Sequence, residues 1–405
     1  MKFENFLASR ILSYKRYKNT ISSPIIKISI LSIVIAIIVI NFSVSIGFGI
    51  QNEIKNKFSG LSGDYYISNF KNEKFSSYYP INLDNNDDQF FEIDKFKSIN
   101  KVIYNPGIIP LNNDFEDIVF KGVDKNGINN LDQFIKNLAI DEIGINEVII
   151  SDYLANKLDL EQGDYLKFLF FKNQNSKIPL LRNLKVIAFY NSSVSEFDRS
   201  VVFGSINQSL LLNKWDSNYV GGLEVLLANK NLNYDDQEFL FSSIPPDYNI
   251  QKTSDRFPEI YNWINLFDTN IYLIIILMIA VGGINMITAL LVTILDKTKL
   301  IAILKILGVN NTSIRKIFMI NGFYLLFRGL IWGNIISISL MIIQKQFLII
   351  KLDPITYYSE FIPIEIDLFK ILTINLIVIL ISMIMLLIPS QTISKIKPNL
   401  SLKLT

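Results

Sequence analysis

NIYLIIILMIAVGGINMITALLVTILDKTKLIAILKILGVNNTSIRKIFMINGFYLLFRGLIWGNIISISL, residues 270–340, decides the architecture. It reads as an apolar helix, a short charged hairpin and a second apolar helix. Ile271 to Leu295 is about 25 residues without a charge, enough to cross a bilayer with some tilt. In the hairpin, Leu300, Ile301, Leu304 and Leu307 fall at i, i+1, i+4 and i+7. That is the apolar stripe of a helix lying along the membrane surface. Gly308 is a helix stop, and Asn310 to Ser313 is a start for the next helix. Ile314 to Ile343 then spans again. Such a part presents a stiff, lysine-bearing helix to the cytoplasm and ties it rigidly to two membrane helices.

Working outward, two further stretches are long and apolar enough to span. Ile28 to Ile46 holds 13 Ile, Leu, Val and Phe residues, on the order of −4 to −8 kcal/mol of insertion free energy with no charge opposing them. The run is too long for the core of a cleaved signal peptide, so it is read as an anchor. Phe369 to Ile388 is the last span, ended by Pro389. Ahead of the first span, residues 1–27 carry six basic side chains against Glu4 alone. Phe3, Phe6, Leu7, Ile11 and Tyr14 recur there at helical spacing, as in an interfacial amphipathic helix; a basic unstructured tail is the alternative. The hairpin (Lys297, Lys299, Lys305, Arg315, Lys316) and the tail (Lys395, Lys397, Lys403) are basic, so both are expected in the cytoplasm with both termini. Residues 51–268 then lie outside, with 21 basic and 31 acidic side chains. The expected organisation is a cytoplasmic helix at 1–27, a first transmembrane helix at 28–50, and an extracytoplasmic domain at 51–268. A permease domain follows at 269–405, with spans near 270–295, 314–343 and 369–388. The fold class is an α+β membrane protein: four transmembrane helices with a large α+β extracytoplasmic domain between the first and second. A mean hydropathy of +0.32 suits that mixture.

The chain has no cysteine and no histidine, which removes disulfides, thiolate sites, Ser-His-Asp chemistry and histidine metal ligands. Asp87, Asp88, Glu92 and Asp94 lack the glycine and spacing of a calcium loop and read as a solvated acidic face. No phosphate-cradling glycine loop occurs. No catalytic site, metal, cofactor or nucleic-acid partner is therefore expected, and any energy used arrives from another chain. In the external domain, strands are expected at 64–68, 102–104, 118–120, 165–171 and 184–190, with a helix over Ile140 to Leu158.

The hairpin, Leu295-Asp296-Lys297-Thr298-Lys299 with Ile301-Ala302-Ile303-Leu304-Lys305-Ile306-Leu307-Gly308, resembles the coupling hairpin of type VII ABC transporter permeases, with Asp296 where that family has Glu. Three further stretches resemble the lipoprotein-releasing branch. They are Asn146 to Ala155 with Leu158 to Asp164, Phe257 to Asn270, and Leu352 to Tyr358 together with Ile388-Pro389-Ser390 and Ile396-Lys397-Pro398. The resemblance implies a membrane subunit that extracts lipoproteins from the inner membrane of a bacterium and hands them to a periplasmic carrier. ATP is then hydrolysed on a separate ATPase chain, beside a second permease in a homo- or heterodimer. A macrolide or peptide exporter carries its ATPase fused ahead of the first span, where about 27 residues stand here. A cell-division permease that transmits force has a far smaller external domain.

Three sets of site residues follow with that resemblance, and a fourth, Arg328, from the sequence alone. Leu300, Ile301 and Leu304 are expected to enter a groove of the ATPase, with Asp296, Lys297 and Lys305 fixing register. The alternative is a helix resting on lipid headgroups. Ile40, Val44, Phe48, Ile264, Phe267 and Ile271 are expected at the lateral entrance for the cargo's acyl chains, or else simply face lipid. Lys177, Ile178, Pro179, Leu180, Leu181 and Arg182 are expected at the tip of a projecting hairpin that hooks the carrier, or that packs on its own domain or a partner permease. Arg328 falls near mid-bilayer with no acid in any span. It either serves transport or assembly, or it snorkels or is held by Asn285, Asn334 and backbone carbonyls.

Overall fold

A computed structural model describes residues 4, 22–83, 96–110, 114–135, 141–171, 179–228, 238, 241 and 245–396. Of the expected helix over residues 1–27, residues 1–3 and 5–21 lie outside them, while 22–27 already belong to the first long helix; Lys177, Ile178 and the acidic cluster from Asp87 to Asp94 also lie outside. Along the chain, helix α1 (Ser22–Ser62) leads into strands β1 (Tyr65–Asn69), β2 (Ile81–Asn82), β3 (Phe96–Pro110) and β4 (Phe115–Val123). Helix α2 (Lys125–Leu131), β5 (Glu147–Ser151), α3 (Asp152–Leu158), β6 (Tyr165–Phe170), β7 (Leu180–Tyr190) and β8 (Val201–Ser205) follow. Then come α4 (Ile206–Asn213), β9 (Tyr219–Val220), β10 (Gly222–Leu227) and β11 (Tyr248–Lys252). The chain closes with α5 (Pro258–Asp296), α6 (Thr298–Ile306), α7 (Asn311–Phe347) and α8 (Leu368–Ser390). Two compact units result. One holds Met1–Gln51, Ile264–Lys351 and Phe361–Thr405; the other holds Asn52–Trp263 and Leu352–Glu360.

The first unit is helical. Among the described residues, four helices are long and apolar enough to cross a membrane: α1, α5, α7 and α8 with its short continuation. Each is longer than the apolar stretch that announces it. Lipid tails are as apolar as leucine, so close packing and polar bonds hold such helices together rather than water exclusion. Both devices are present. A Cβ on Gly329 would lie 2.5 Å from Ile33, and one on Gly333 would lie 2.8 Å from Ile37, so the backbones of α7 and α1 approach where only glycine fits. One turn on, Asn41 of α1 donates to Asn334 (2.9 Å) and Ser337 (2.8 Å) of α7, and Asn375 of α8 donates to Asn334 (2.9 Å). Ser29 of α1 donates to the Asn285 carbonyl of α5 at 3.1 Å, and the Asn285 amide donates to Ser32 at 2.5 Å. The core runs through Ile37, Ile40, Met286, Leu290, Ile301, Phe318 and Leu386.

The second unit is α+β. Its main sheet has nine strands in the order β11-β1-β10-β3-β4-β8-β5-β7-β6, and a further β3–β6 pairing closes six of them into a ring. Phe120, Phe168 and Phe170 fill that ring with Ile109, Val148, Leu166 and Val186. Lys121 is sealed inside the unit, and its Nζ lies 2.8 Å from Glu224, which also accepts from the Tyr104 hydroxyl at 2.5 Å. Burial of this charge is tolerable because it is paired and hydrogen-bonded. The expected helix over Ile140 to Leu158 is corrected. Glu147–Ser151 is a strand, as its β-branched run Val148-Ile149-Ile150 favours, and the helix starts only at Asp152, capped by the Ser151 hydroxyl. The unit also takes in Leu352–Glu360, which the sequence reading leaves in the loop between the last two spans. Tyr358 ties that segment down. Its hydroxyl donates to Glu196 (3.2 Å), its carbonyl accepts from Lys57 (2.8 Å), and its ring meets Phe58 and Trp263 edge-on.

Candidate coupling helix, groove and hairpin

Helix α6 stands on the sequence Thr298 to Ile306, between α5 and α7. Its end is a Schellman turn: the Gly308 amide reaches the Lys305 carbonyl (3.1 Å), the Val309 amide reaches the Leu304 carbonyl (3.0 Å), and Gly308 has φ of +83°. Lys305 donates to the carbonyls of Ile393 (2.8 Å) and Ile396 (2.9 Å), which fastens α6 to the tail, and burial pulls its pKa below the ordinary lysine value. Asp296 and Lys297 pair with each other at 2.8 Å. The stripe expected to meet another chain is used inside this unit: Ile301 and Leu304 are core residues and Leu300 is half-buried against them. The exposed face is Lys299, Ile303 and Ile306, at i, i+4 and i+7, with Leu307 and Leu295 beside it. Periodicity identifies an apolar stripe but not what it touches, and here a second apolar face was there to be found.

A groove of about 440 Å³ opens between α1, α5 and α8. Of the six residues expected at the cargo entrance, Val44, Phe48 and Ile271 line it. Ile40 and Ile264 are sealed in packing, and Phe267 is half-buried away from the groove. Helix α8 supplies Phe369, Thr373, Ile374, Ile377 and Ile381, a wall that its nearly uniform apolar sequence gave no means to place. The walls are apolar and the charges gather at one end. Lys370 lies 3.8 Å over the Phe48 ring and 3.5 and 3.7 Å from Glu365 and Asp367; Asp268 accepts from Gln51 at 2.8 Å. Such a slot suits an alkyl chain with a polar end.

Strands β6 and β7 pair antiparallel from Tyr165 with Lys185 to Phe170 with Leu180. Leu180, Leu181 and Arg182 are thus strand residues rather than loop, with Pro179 leading in. Leu180 and Leu181 are exposed, and the Arg182 guanidinium reaches only the Leu181 carbonyl, at 3.1 Å, among the described residues. Arg328 is exposed on α7 and makes no bond to Asn285 or Asn334, whose amides go to Ser32, Leu330 and Asn375. The reading in which those amides hold it is corrected.

The FtsX-like permease C-terminal family model matches residues 272–398. The chain is 27% identical over 327 residues to the lipoprotein-releasing system transmembrane protein LolC of Buchnera aphidicola subsp. Acyrthosiphon pisum, covering 79% of this chain and 80% of that one. It is 20% identical to LolE of Haemophilus influenzae over 95% of each chain. Among solved structures, the periplasmic region of MacB from Actinobacillus actinomycetemcomitans aligns with a TM-score of 0.33 and 13% identity, over 50% of this chain and 95% of that one. With the hairpin, the four long helices and the α+β unit in place, residues 272–398 match the FtsX-like permease C-terminal family, and the chain is similar along most of its length to lipoprotein-releasing system transmembrane proteins.

Proposed function

We propose that this chain is the multi-pass inner-membrane permease subunit of an ABC transporter that extracts lipoproteins and passes them to a periplasmic carrier. Similarity to lipoprotein-releasing transmembrane proteins along most of the chain carries this reading. ATP is hydrolysed on a separate ATPase chain, and a second permease completes the membrane part. Both termini and α6 face the cytoplasm, as their basic residues favour. Buried acyl chains hold a lipoprotein in the bilayer by about 0.8 kcal/mol per CH₂, so release needs an external energy source and an apolar receiving surface. The groove beside Val44, Phe48 and Ile271 is that surface. The ATPase docks on Lys299, Ile303 and Ile306, because Ile301 and Leu304 are already covered. The β6–β7 hairpin, through Pro179, Leu180 and Leu181, receives the carrier.

The test is the pair Ile303→Asp and Ile306→Asp in the full complex. Each places an unpaired charge in the docking face without touching the core of the helical unit. The expected result is loss of ATPase co-purification and of lipoprotein release from proteoliposomes, with an unchanged melting temperature for the permease itself. Retention of both activities would sink the coupling assignment. Release of some other cargo class by the intact complex, with lipoproteins left behind, would sink the transport assignment.

A further inference from the structure

Arg328 lies on α7 about 18 Å along the axis from Lys316 and about 25 Å from Lys345, at 1.5 Å per residue. A hydrocarbon core of ~30 Å that begins just past Lys316 puts it close to the middle. The side chain does not point into the bundle. It is exposed, in one patch with Tyr324, Phe327, Ile331, Trp332 and Ile335. The opposite side of the same turns, Leu326, Gly329, Leu330 and Gly333, packs inward. Arg328 has no hydrogen-bond or ion-pair partner among the described residues; Asn334 and Ser337 bond to Asn41 and Asn375, and the Asn321 side-chain oxygen, two turns before Arg328, is buried without a partner and does not reach it.

A guanidinium at that depth requires a counter-charge or a set of acceptors. Three sources differ in chemistry. A second copy of this chain has nothing to give, since residues 28–50, 270–295, 314–343 and 369–388 contain no Asp or Glu. A lipid phosphate sits at the interface, and its recognition sites gather several basic residues there. Arg328 is alone: no other basic residue lies between Lys316 and Lys345. Snorkelling to the interface would need no partner but leaves the apolar patch around Arg328 uncovered by protein; an acid carried to mid-bilayer by a helix of a different protein meets the charge and uses that exposed patch as its packing surface.

We propose that the Arg328 face of α7 docks a transmembrane helix of another protein, one that carries an aspartate or glutamate near mid-bilayer. The proposal needs only that α7 spans the membrane and does not depend on the lipoprotein reading. For the test, Trp332, one turn from Arg328 on the same face, is replaced by photo-reactive benzoyl-phenylalanine. The full-length protein is then cross-linked in its native membrane and the attached peptide is sequenced. The expected peptide is an apolar span of a different chain with an acid in its middle. Arg328→Gln should cut the yield about tenfold while Arg328→Lys keeps it. Arg328→Glu should fail alone and recover when the mapped acid is changed to Arg. Melting of Arg328→Gln in detergent should match the wild type, because nothing inside the unit leans on this side chain. Cross-links to phospholipid alone, to a second copy of this chain, or to a span without an acid would each overturn the proposal. So would a yield indifferent to Arg328→Gln.

Discussion

Asp198 accepts from the Ser192 hydroxyl at 2.6 Å and from the Ser192 amide at 3.2 Å, at the wall of a cavity of about 170 Å³ in the α+β unit. Burial penalises its charged form by more than these two bonds favour it, so its pKa stands above the ordinary aspartate value of 3.8. Between the unfolded pKa and the raised folded one, the folded state binds more protons than the unfolded, and stability falls as pH rises. At pH 7 the wild type therefore bears the full cost of a buried carboxylate, whereas Asp198→Asn does not. The melting temperature of the wild type minus that of Asp198→Asn should increase as pH falls from 7 through the raised pKa, and level off below about 4. A difference that stays flat from pH 7 to 4 would show that the carboxylate is not strained by its burial.

At the scale of elements, the crossing of α1 on α7 rests on two glycines. Gly333→Leu would drive a side chain into Ile37 and push apart the helices that the Asn41–Asn334 bond joins one turn away. Overpacking of this kind costs about 1–3 kcal/mol. Thermal melting in detergent should drop accordingly, and adding Ile37→Ala should restore part of the loss. Additive losses in the double variant would mean that the two residues do not meet. The helices themselves were legible in the sequence because mostly apolar stretches of about twenty residues have few other uses, and Gly308 marked the end of α6 at the residue where the backbone turns left-handed. Directions were not legible. In α7 apolar residues run all round the helix, so depth along the axis could be counted for Arg328 but the side it faces could not. In α6 the stronger stripe turned out to serve its own unit. The strand Glu147–Ser151 was hidden because a run of β-branched residues next to a helix start reads as either element until its neighbours, β7 and β8, are known.

Across the whole molecule, the chain enters the α+β unit twice. Residues Asn52–Trp263 build most of it, and Leu352–Glu360 are added from the connection between α7 and α8. The neck of that short segment is a narrow ribbon, with Lys351 bridged to Phe361 and the Leu352 amide on the Glu360 carbonyl at 3.0 Å. Tyr358 is its main anchor. Tyr358→Ala removes the bond to Glu196 and the edge contacts with Phe58 and Trp263, and keeps the main-chain bond from Lys57. Limited proteolysis of the full-length protein should then cleave within residues 352–360 at least about tenfold faster, which needs only ~1.4 kcal/mol of lost anchoring. Unchanged cleavage would mean that the Tyr358 side chain is not what holds the segment. The split also sets a clock on biosynthesis. Residues Ile264–Lys351 must leave the ribosome before the missing piece can arrive, and at roughly 5–20 residues per second that is a wait of about 4–18 s. During that interval the newborn α+β unit carries Phe58 and Glu196 without their cover, so its last step of maturation is timed by the insertion of α5 and α7 rather than by its own sequence.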